Sequence, residues 1–134
     1  MPVQIVKDSI DLGIVVRDID ASLAFYRDLL GLEVEATYDD PPDATLTAAG
    51  ARISLAEQGH RADDRPGVEM TAPADPSRAN VVLVLEVSDA RAAHEALSAE
   101  GVRFLAERYE PPWGGCRFFC VDPDGYLVEI EQPA

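Results

Sequence analysis

Residues 111–130 read PPWGGCRFFCVDPDGYLVEI, and this stretch decides the fold of the chain. Cys116–Val121 is a run of β-branched and aromatic residues, Leu127–Glu131 alternates between apolar and polar residues, and Asp122–Gly125 separates the two. Proline presets the first central angle of a turn, aspartate tolerates left-handed geometry, and glycine supplies a positive φ without steric cost. The pattern therefore predicts a β-hairpin, in which Glu129 brings a carboxylate into the middle of an otherwise apolar strand.

The composition is that of an ordinary globular chain, and 134 residues with 47% hydrophobic side chains can bury a core without disulfides. No apolar run approaches the ~20 residues that span a bilayer, and no basic region precedes an apolar stretch at the N-terminus. We therefore expect a cytoplasmic protein without membrane contact. The formal net charge of −14, with only 11 lysines and arginines, argues against nucleic acid, because phosphate binding requires a basic face. The charge suits a cationic or neutral small ligand, or solubility alone.

The cysteine and histidine residues carry little functional signal. Cys116 and Cys120 share one face of a predicted strand at roughly 13 Å, which is too far apart for a disulfide. Their spacing is not that of a zinc site, so we expect two reduced and packed thiols. His60 lies in a predicted loop and His94 on a predicted helix, and we expect both at the surface.

One pattern of elements occurs twice along the chain. In the first copy Asp18 caps a helix and Gly31 ends it, and in the second copy Asp89 and Gly101 do the same. The predicted strands of the first copy are Ile10–Arg17, Glu33–Tyr38, Thr45–Ala48 and Arg52–Glu57. Those of the second are Asn80–Val87, Arg103–Tyr109 and the two strands of the hairpin. The repeat predicts two βαβββ modules, each with its helix on one face of its sheet and the other face curled around a cavity.

We therefore predict an α+β fold with a single domain over residues 1–134. The first module spans about residues 8–57, a connecting loop about residues 58–79, and the second module about residues 80–132. The loop is rich in glycine, proline and aspartate and has no sustained period, so it suits either a functional loop or a solvated connector.

These motifs resemble the vicinal oxygen chelate (VOC) superfamily, which includes glyoxalase I, bleomycin resistance proteins and extradiol dioxygenases. The resemblance covers residues 8–132. It rests on the segment SLAFYRDLLGLEV after the first capping aspartate, on the second helix–glycine unit, and on the closing WGG…F…DPDGYLVEIEQ. It implies two βαβββ modules whose sheets form a cup-shaped cavity, usually in a homodimer.

The metalloenzymes of that superfamily hold a metal at four equivalent positions, which correspond here to Asp11, Ser54, Val82 and Glu129. Val82 has no donor atom, Ser54 is a poor neutral ligand, and only Glu129 keeps the family's ligand type. A catalytic divalent site needs three or more protein donors. We therefore expect no metal cofactor. The alternative is a divalent ion such as Mn, Mg, Ni, Zn or Fe(II) held weakly by Asp11 and Glu129.

Five residues are candidates for ligand contact, and most of them also have a structural interpretation. They are Asp11, Glu86, Tyr109, Trp113 and Glu129. Glu129 either contacts a ligand, with general-base chemistry as its one possible catalytic role, or pairs with an arginine such as Arg52 or Arg117. Asp11 either lines the cavity or begins an exposed strand.

Glu86 and Trp113 also permit two interpretations each. Glu86 alternates with Val82 and Val84, and a charge on that face needs a partner or a ligand. Trp113 is flanked by prolines and glycines, so its indole either stacks on a planar ligand or packs as a lid.

The sequence therefore predicts a metal-free protein that binds or sequesters a planar or aromatic small molecule, with antibiotics and cationic compounds as candidates. The resemblance adds a homodimer as the expected assembly. The alternative is a VOC enzyme of the lyase, epimerase or dioxygenase type that uses a metal or a cavity carboxylate. Donors at three or four of the equivalent positions would favour the enzyme.

Overall fold

A computed structural model describes residues 3–134 of the chain and contains two four-stranded sheets. The chain divides into two compact units, the first ending at Ala72 and the second spanning Pro73–Ala134. Each unit has one sheet, and the strand orders β1-β4-β3-β2 and β5-β8-β7-β6 follow the same pattern. The repeated βαβββ topology predicted from the sequence is confirmed. Within residues 3–134, every helix is too short or too polar to cross a bilayer.

The first unit begins with β1 and the first helix. Its strands are β1 (Asp11–Val16), β2 (Glu33–Asp39), β3 (Pro42–Ala48) and β4 (Ala51–Glu57). β1 pairs parallel with β4, and the other neighbours pair antiparallel. β3 starts three residues before its predicted beginning, because Pro42 is tolerated as the first residue of a strand.

The first helix departs from a regular α-helix after five residues. Asp18 caps α1 (Ile19–Leu23) by accepting hydrogen bonds from the backbone N–H groups of Asp20 and Ala21. A π-helical segment, Ala24–Leu29, follows, and the N–H of Leu30 donates to the carbonyl of Phe25 five residues earlier. Phe25 and Tyr26 in this segment are both buried.

The second unit contains β5 (Val82–Glu86), α2 (Ala90–Ala99), β6 (Arg103–Phe104), β7 (Cys116–Val121) and β8 (Leu127–Gln132). The predicted strand Arg103–Tyr109 is wrong in its length. Only Arg103 and Phe104 form a ladder with β7, and Tyr109 rejoins it through an isolated bridge to Arg117. This segment lies at the edge of its sheet, so no second neighbour holds the intervening residues in register.

The hairpin between β7 and β8 is closed by a buried aspartate. The side chain of Asp122 is 5% exposed, and its Oδ1 accepts hydrogen bonds from the N–H groups of Asp124 at 2.9 Å and Tyr126 at 2.8 Å. Gly125 has a φ of +98°, and a Cβ there would lie 2.8 Å from Cβ of Pro76. The turn therefore requires glycine both for its backbone angle and for the space beside Pro76.

Alternation divides the second sheet into a packed face and an open face. α2 lies against β7 and β8, and the packed face holds Leu83, Phe118, Cys120, Val128 and Ile130, all of them buried. Both cysteines are free and buried, as predicted. Burial raises the pKa of the Cys120 thiol to about 11.

His94, which was predicted to lie at the surface, is half-buried. Its imidazole stacks on the Phe104 ring, with 4.3 Å between centroids, and meets the Phe118 ring edge-on at 4.9 Å. His94 therefore lies on the side of α2 that packs against the sheet. The helical period already indicates this position, because His94 follows the buried Ala90 by four residues and precedes the buried Leu97 by three.

Replacing Asp122 by alanine should lower the free energy of unfolding by about 1–3 kcal/mol, because two backbone N–H groups in a buried turn lose their acceptor. Asp122→Asn keeps an acceptor oxygen and should lose much less. Urea unfolding of both variants measures the difference. Equal losses in the two variants would contradict the acceptor role of Oδ1.

Candidate functional site

The strand register places four side chains in one row across the open face of the second sheet. Glu86 on β5 lies opposite Glu131 on β8, Glu131 lies opposite Arg117 on β7, and Arg117 pairs with Tyr109. Residues directly opposite one another share a face, with Cβ atoms about 4.5–5.5 Å apart. Going across the strands, the open face therefore carries two carboxylates, then a guanidinium, then a phenol ring. We call this set of four side chains the polar row.

A second row of side chains lies next to the polar row on the same face, two residues away along each strand. It consists of Val84, Glu129 and Phe119, which are paired in the register. Val84 is 49% exposed, whereas the Glu129 side chain is only 14% exposed. Glu129 is therefore a largely covered carboxylate between an exposed valine and a phenyl ring.

The guanidinium of Arg117 links the two rows. Its Cζ lies 5.1 Å from the centroid of the Tyr109 ring, and its Nη1 lies 3.9 Å from Oε1 of Glu129. The first contact is a cation–π interaction, and the second is an ion pair beyond hydrogen-bond distance. Of the two arginine partners that the sequence left open for Glu129, the structure records Arg117.

Trp113 lies in the loop between Tyr109 and β7. The double glycine after it lets this loop approach the end of the chain: Gly115 has a φ of +85°, and a Cβ there would lie 2.6 Å from the carbonyl oxygen of Gln132. The Trp113 side chain is 72% exposed. The indole is therefore not packed as a lid on its own chain.

Asp11 lies in the first unit and already has two cationic neighbours. Its carboxylate accepts a hydrogen bond from Lys7 Nζ at 2.7 Å and pairs with Arg52 at 3.4 Å. The other end of that guanidinium binds Glu35 at 2.7 Å. The hydrogen bond from Lys7 is the main reason why the pKa of Asp11 lies below its usual value, with Arg52 adding to it.

The residues at the four family metal positions do not fit a divalent cation. Asp11 is neutralised by Lys7 and Arg52, Val82 has no donor, and Ser54 offers only a neutral hydroxyl. Across residues 3–134, there is no group of three or more His, Cys, Asp or Glu side chains arranged to hold a metal ion. These positions therefore offer a divalent cation two carboxylates at most, and that of Asp11 is already engaged.

Four of the five predicted ligand-contact residues belong to the second unit. Glu86 and Tyr109 lie in the polar row, Glu129 lies beside it, and Trp113 lies in the adjoining loop, whereas Asp11 belongs to the first unit. Sequence reasoning missed Glu131 as a site residue. The alternation of Leu127–Gln132 already places it on the same face as Glu129, so that signal was present.

The connecting loop forms a depression of its own. Residues 59–63 and 65–69 line a surface cavity of about 540 Å³. The guanidinium of Arg65 donates to the carbonyl oxygens of Val68 and His60 within this loop, so it serves to hold the loop's own backbone. His60 is exposed, as predicted.

Comparison with known proteins agrees with the topology. The family model of the Glyoxalase/Bleomycin resistance protein/Dioxygenase superfamily matches residues 8–130. The uncharacterized protein YwbC of Bacillus subtilis (strain 168) is 26% identical over 127 residues, which make up 90% of this chain and 93% of that protein.

Solved structures show the same fold. A glyoxalase/bleomycin resistance protein/dioxygenase from Nocardioides is 25% identical with a TM-score of 0.73, covering 98% of this chain and 85% of that chain. Lactoylglutathione lyase from Agrobacterium tumefaciens is 18% identical with a TM-score of 0.70, covering 98% of this chain and 96% of that chain. At 18% identity, the second likeness concerns the fold alone.

Trp113 is the only tryptophan, so intrinsic indole fluorescence reports on this loop alone. Acrylamide should quench the Trp113 fluorescence of the native protein nearly as much as that of the urea-unfolded chain, because the indole is largely exposed. Stern–Volmer plots in the two conditions measure this. A native indole protected from quenching would contradict the exposed position.

Proposed function

The chain belongs to the glyoxalase/bleomycin resistance protein/dioxygenase superfamily, and we propose that within it this protein binds and sequesters a planar or aromatic small molecule without a metal ion. The single observation that carries the proposal is the open face of the second sheet. There, exposed aromatic and apolar side chains surround a largely covered carboxylate. We expect a homodimer in the cytoplasm as the working form.

The chemistry of this face suits a flat ligand with polar groups. The ring of Tyr109 and the indole of Trp113 offer planar surfaces, and the exposed side chains of Val82 and Val84 offer apolar contact. Glu129 supplies one acceptor for a ligand N–H or O–H group. Ligand sites commonly combine such apolar walls with a few placed polar groups, and this combination supports a binding role.

The donor set is the argument against a metal-dependent reaction. Val82 has no donor atom, and the Asp11 carboxylate is engaged by Lys7 and Arg52. A divalent ion would have to compete with those cations for Asp11 and would gain only a serine hydroxyl in the same unit. We therefore propose that ligand binding in this protein proceeds through side chains alone.

An enzyme of the lyase, epimerase or dioxygenase type is the second candidate. It is favoured by the position of Glu129, a carboxylate only 14% exposed in a strand of apolar neighbours. A carboxylate so placed can accept a proton from a bound substrate. The two candidates differ in one outcome: a binding protein returns its ligand unchanged, whereas an enzyme converts it.

Binding can be measured by equilibrium dialysis against a panel of planar aromatic compounds that includes cationic, neutral and anionic members. At least one class should bind, and Glu129→Gln should weaken that binding by about tenfold, the effect of losing a charge-assisted contact. Asp28→Asn is the matched control, since it removes the same charge from an exposed site in the first unit. Mass spectrometry of the recovered compound separates sequestration from turnover. The absence of binding across the panel would contradict the proposal.

Metal dependence can be measured separately by removing metals with EDTA and adding back Mn, Mg, Ni, Zn or Fe(II). A metal held at 100 times its dissociation constant would stabilise the fold by about 2.7 kcal/mol, and we expect no such shift in thermal unfolding. Elemental analysis should find substoichiometric metal. Stoichiometric metal that is lost in Glu129→Gln would contradict the metal-free proposal and favour the enzyme.

A further inference from the structure

We infer that the natural ligand of the second sheet's open face is a flat organic cation, such as an amidinium or guanidinium group, and that Arg117 occupies the place of that group until the ligand displaces it. This inference rests on the proposed binding function and names its ligand class. The guanidinium of Arg117 is itself planar and cationic, and its contacts are those that such a ligand would make.

The two recorded contacts of the Arg117 guanidinium define the subsite. The Tyr109 ring lies 5.1 Å from Cζ and supplies a π face, and Glu129 lies 3.9 Å away and supplies a negative charge. An aromatic surface next to a largely covered carboxylate is a recognition pattern for organic cations. Arg117 therefore reports which kind of group this place accepts.

Arg117 is also held loosely compared with other arginines of the chain. Arg27, Arg52 and Arg91 each contact a carboxylate at 2.5–2.8 Å, within hydrogen-bond distance. The Arg117 pair is longer, with 3.9 Å between Nη1 and Oε1 of Glu129. A ligand that donates hydrogen bonds directly to Glu129 would make the stronger contact, so displacement of Arg117 is favourable.

The polar row provides Arg117 with an alternative partner. Glu131 lies directly opposite Arg117 in the strand register, and Glu86 lies opposite Glu131. When a ligand takes Glu129, the flexible arginine side chain can turn towards Glu131 without any change of the backbone. Both cations then have a carboxylate, so the exchange leaves neither charge unpaired.

The charge of the two rows selects against an anionic ligand. They contain three carboxylates, Glu86, Glu129 and Glu131, and one guanidinium, that of Arg117. An anion that bound Arg117 would approach these carboxylates closely, whereas a cation would relieve their mutual repulsion. The formal net charge of −14 acts in the same direction at longer range.

Three isosteric probes test the inference: benzamidine, which is cationic, benzamide, which is neutral, and benzoate, which is anionic. Calorimetry should detect binding of benzamidine and find benzamide and benzoate at least about tenfold weaker. Arg117→Gln should tighten benzamidine binding by about threefold to tenfold, because the competing side chain is gone. Arg27→Gln is the control, since it removes the same charge in the first unit and should leave binding unchanged.

Each outcome separates this inference from the function on which it rests. Tighter benzamidine binding in Arg117→Gln together with loss in Glu129→Gln supports the inference. Binding of benzoate or benzamide that Arg117→Gln weakens would overturn it and would leave the planar-ligand function standing, with Arg117 as a direct ligand contact. Failure of all three probes and of the wider aromatic panel, in both the wild type and Arg117→Gln, would overturn both. Circular dichroism of each variant verifies that it folds.

Discussion

The carboxylate of Asp122 that closes the hairpin between β7 and β8 sets the register on which the open face depends. Its Oδ1 accepts two backbone hydrogen bonds and starts β8 at a defined residue. Because successive side chains of a strand point to opposite faces, a shift by one residue would move Glu129 and Glu131 beneath α2. Arg117 would then lose both carboxylates. The turn motif is therefore a structural element, yet it determines the composition of the candidate site.

The charged residues of the two sheets are arranged differently from those of a metal site. In the first unit, Lys7 and Arg52 neutralise Asp11, and Arg52 also pairs with Glu35. In the second, Arg117 is shared between a tyrosine ring and Glu129. Positive charge is thus supplied by side chains of the chain itself. A guanidinium is directional and planar, whereas a metal ion gathers donors around a point, so the two arrangements suit different ligands.

Much of the site was predictable from alternation, and the remainder depended on contacts between distant segments. Glu129 and Glu86 follow from strand periodicity, and Glu131 follows from the same rule. The choice of Arg117 rather than Arg52 as the partner of Glu129 does not, because both arginines lie on strands with suitable alternation. The side of α2 on which His94 lies follows from its spacing to Ala90 and Leu97, whereas its contacts with Phe104 and Phe118 depend on the tertiary structure.

The amino-acid sequence by itself determined the duplicated βαβββ topology, the capping aspartates and the hairpin turn. These depend on local backbone preferences and on side-chain period, which act within a few residues. Only the tertiary structure decided the π-helical segment after Leu23, the short β6, and the contact of Arg117 with the Tyr109 ring. Those features depend on the free energy of packing and charge pairing between side chains of separate segments of the chain. Local patterns do not encode the distances between such segments.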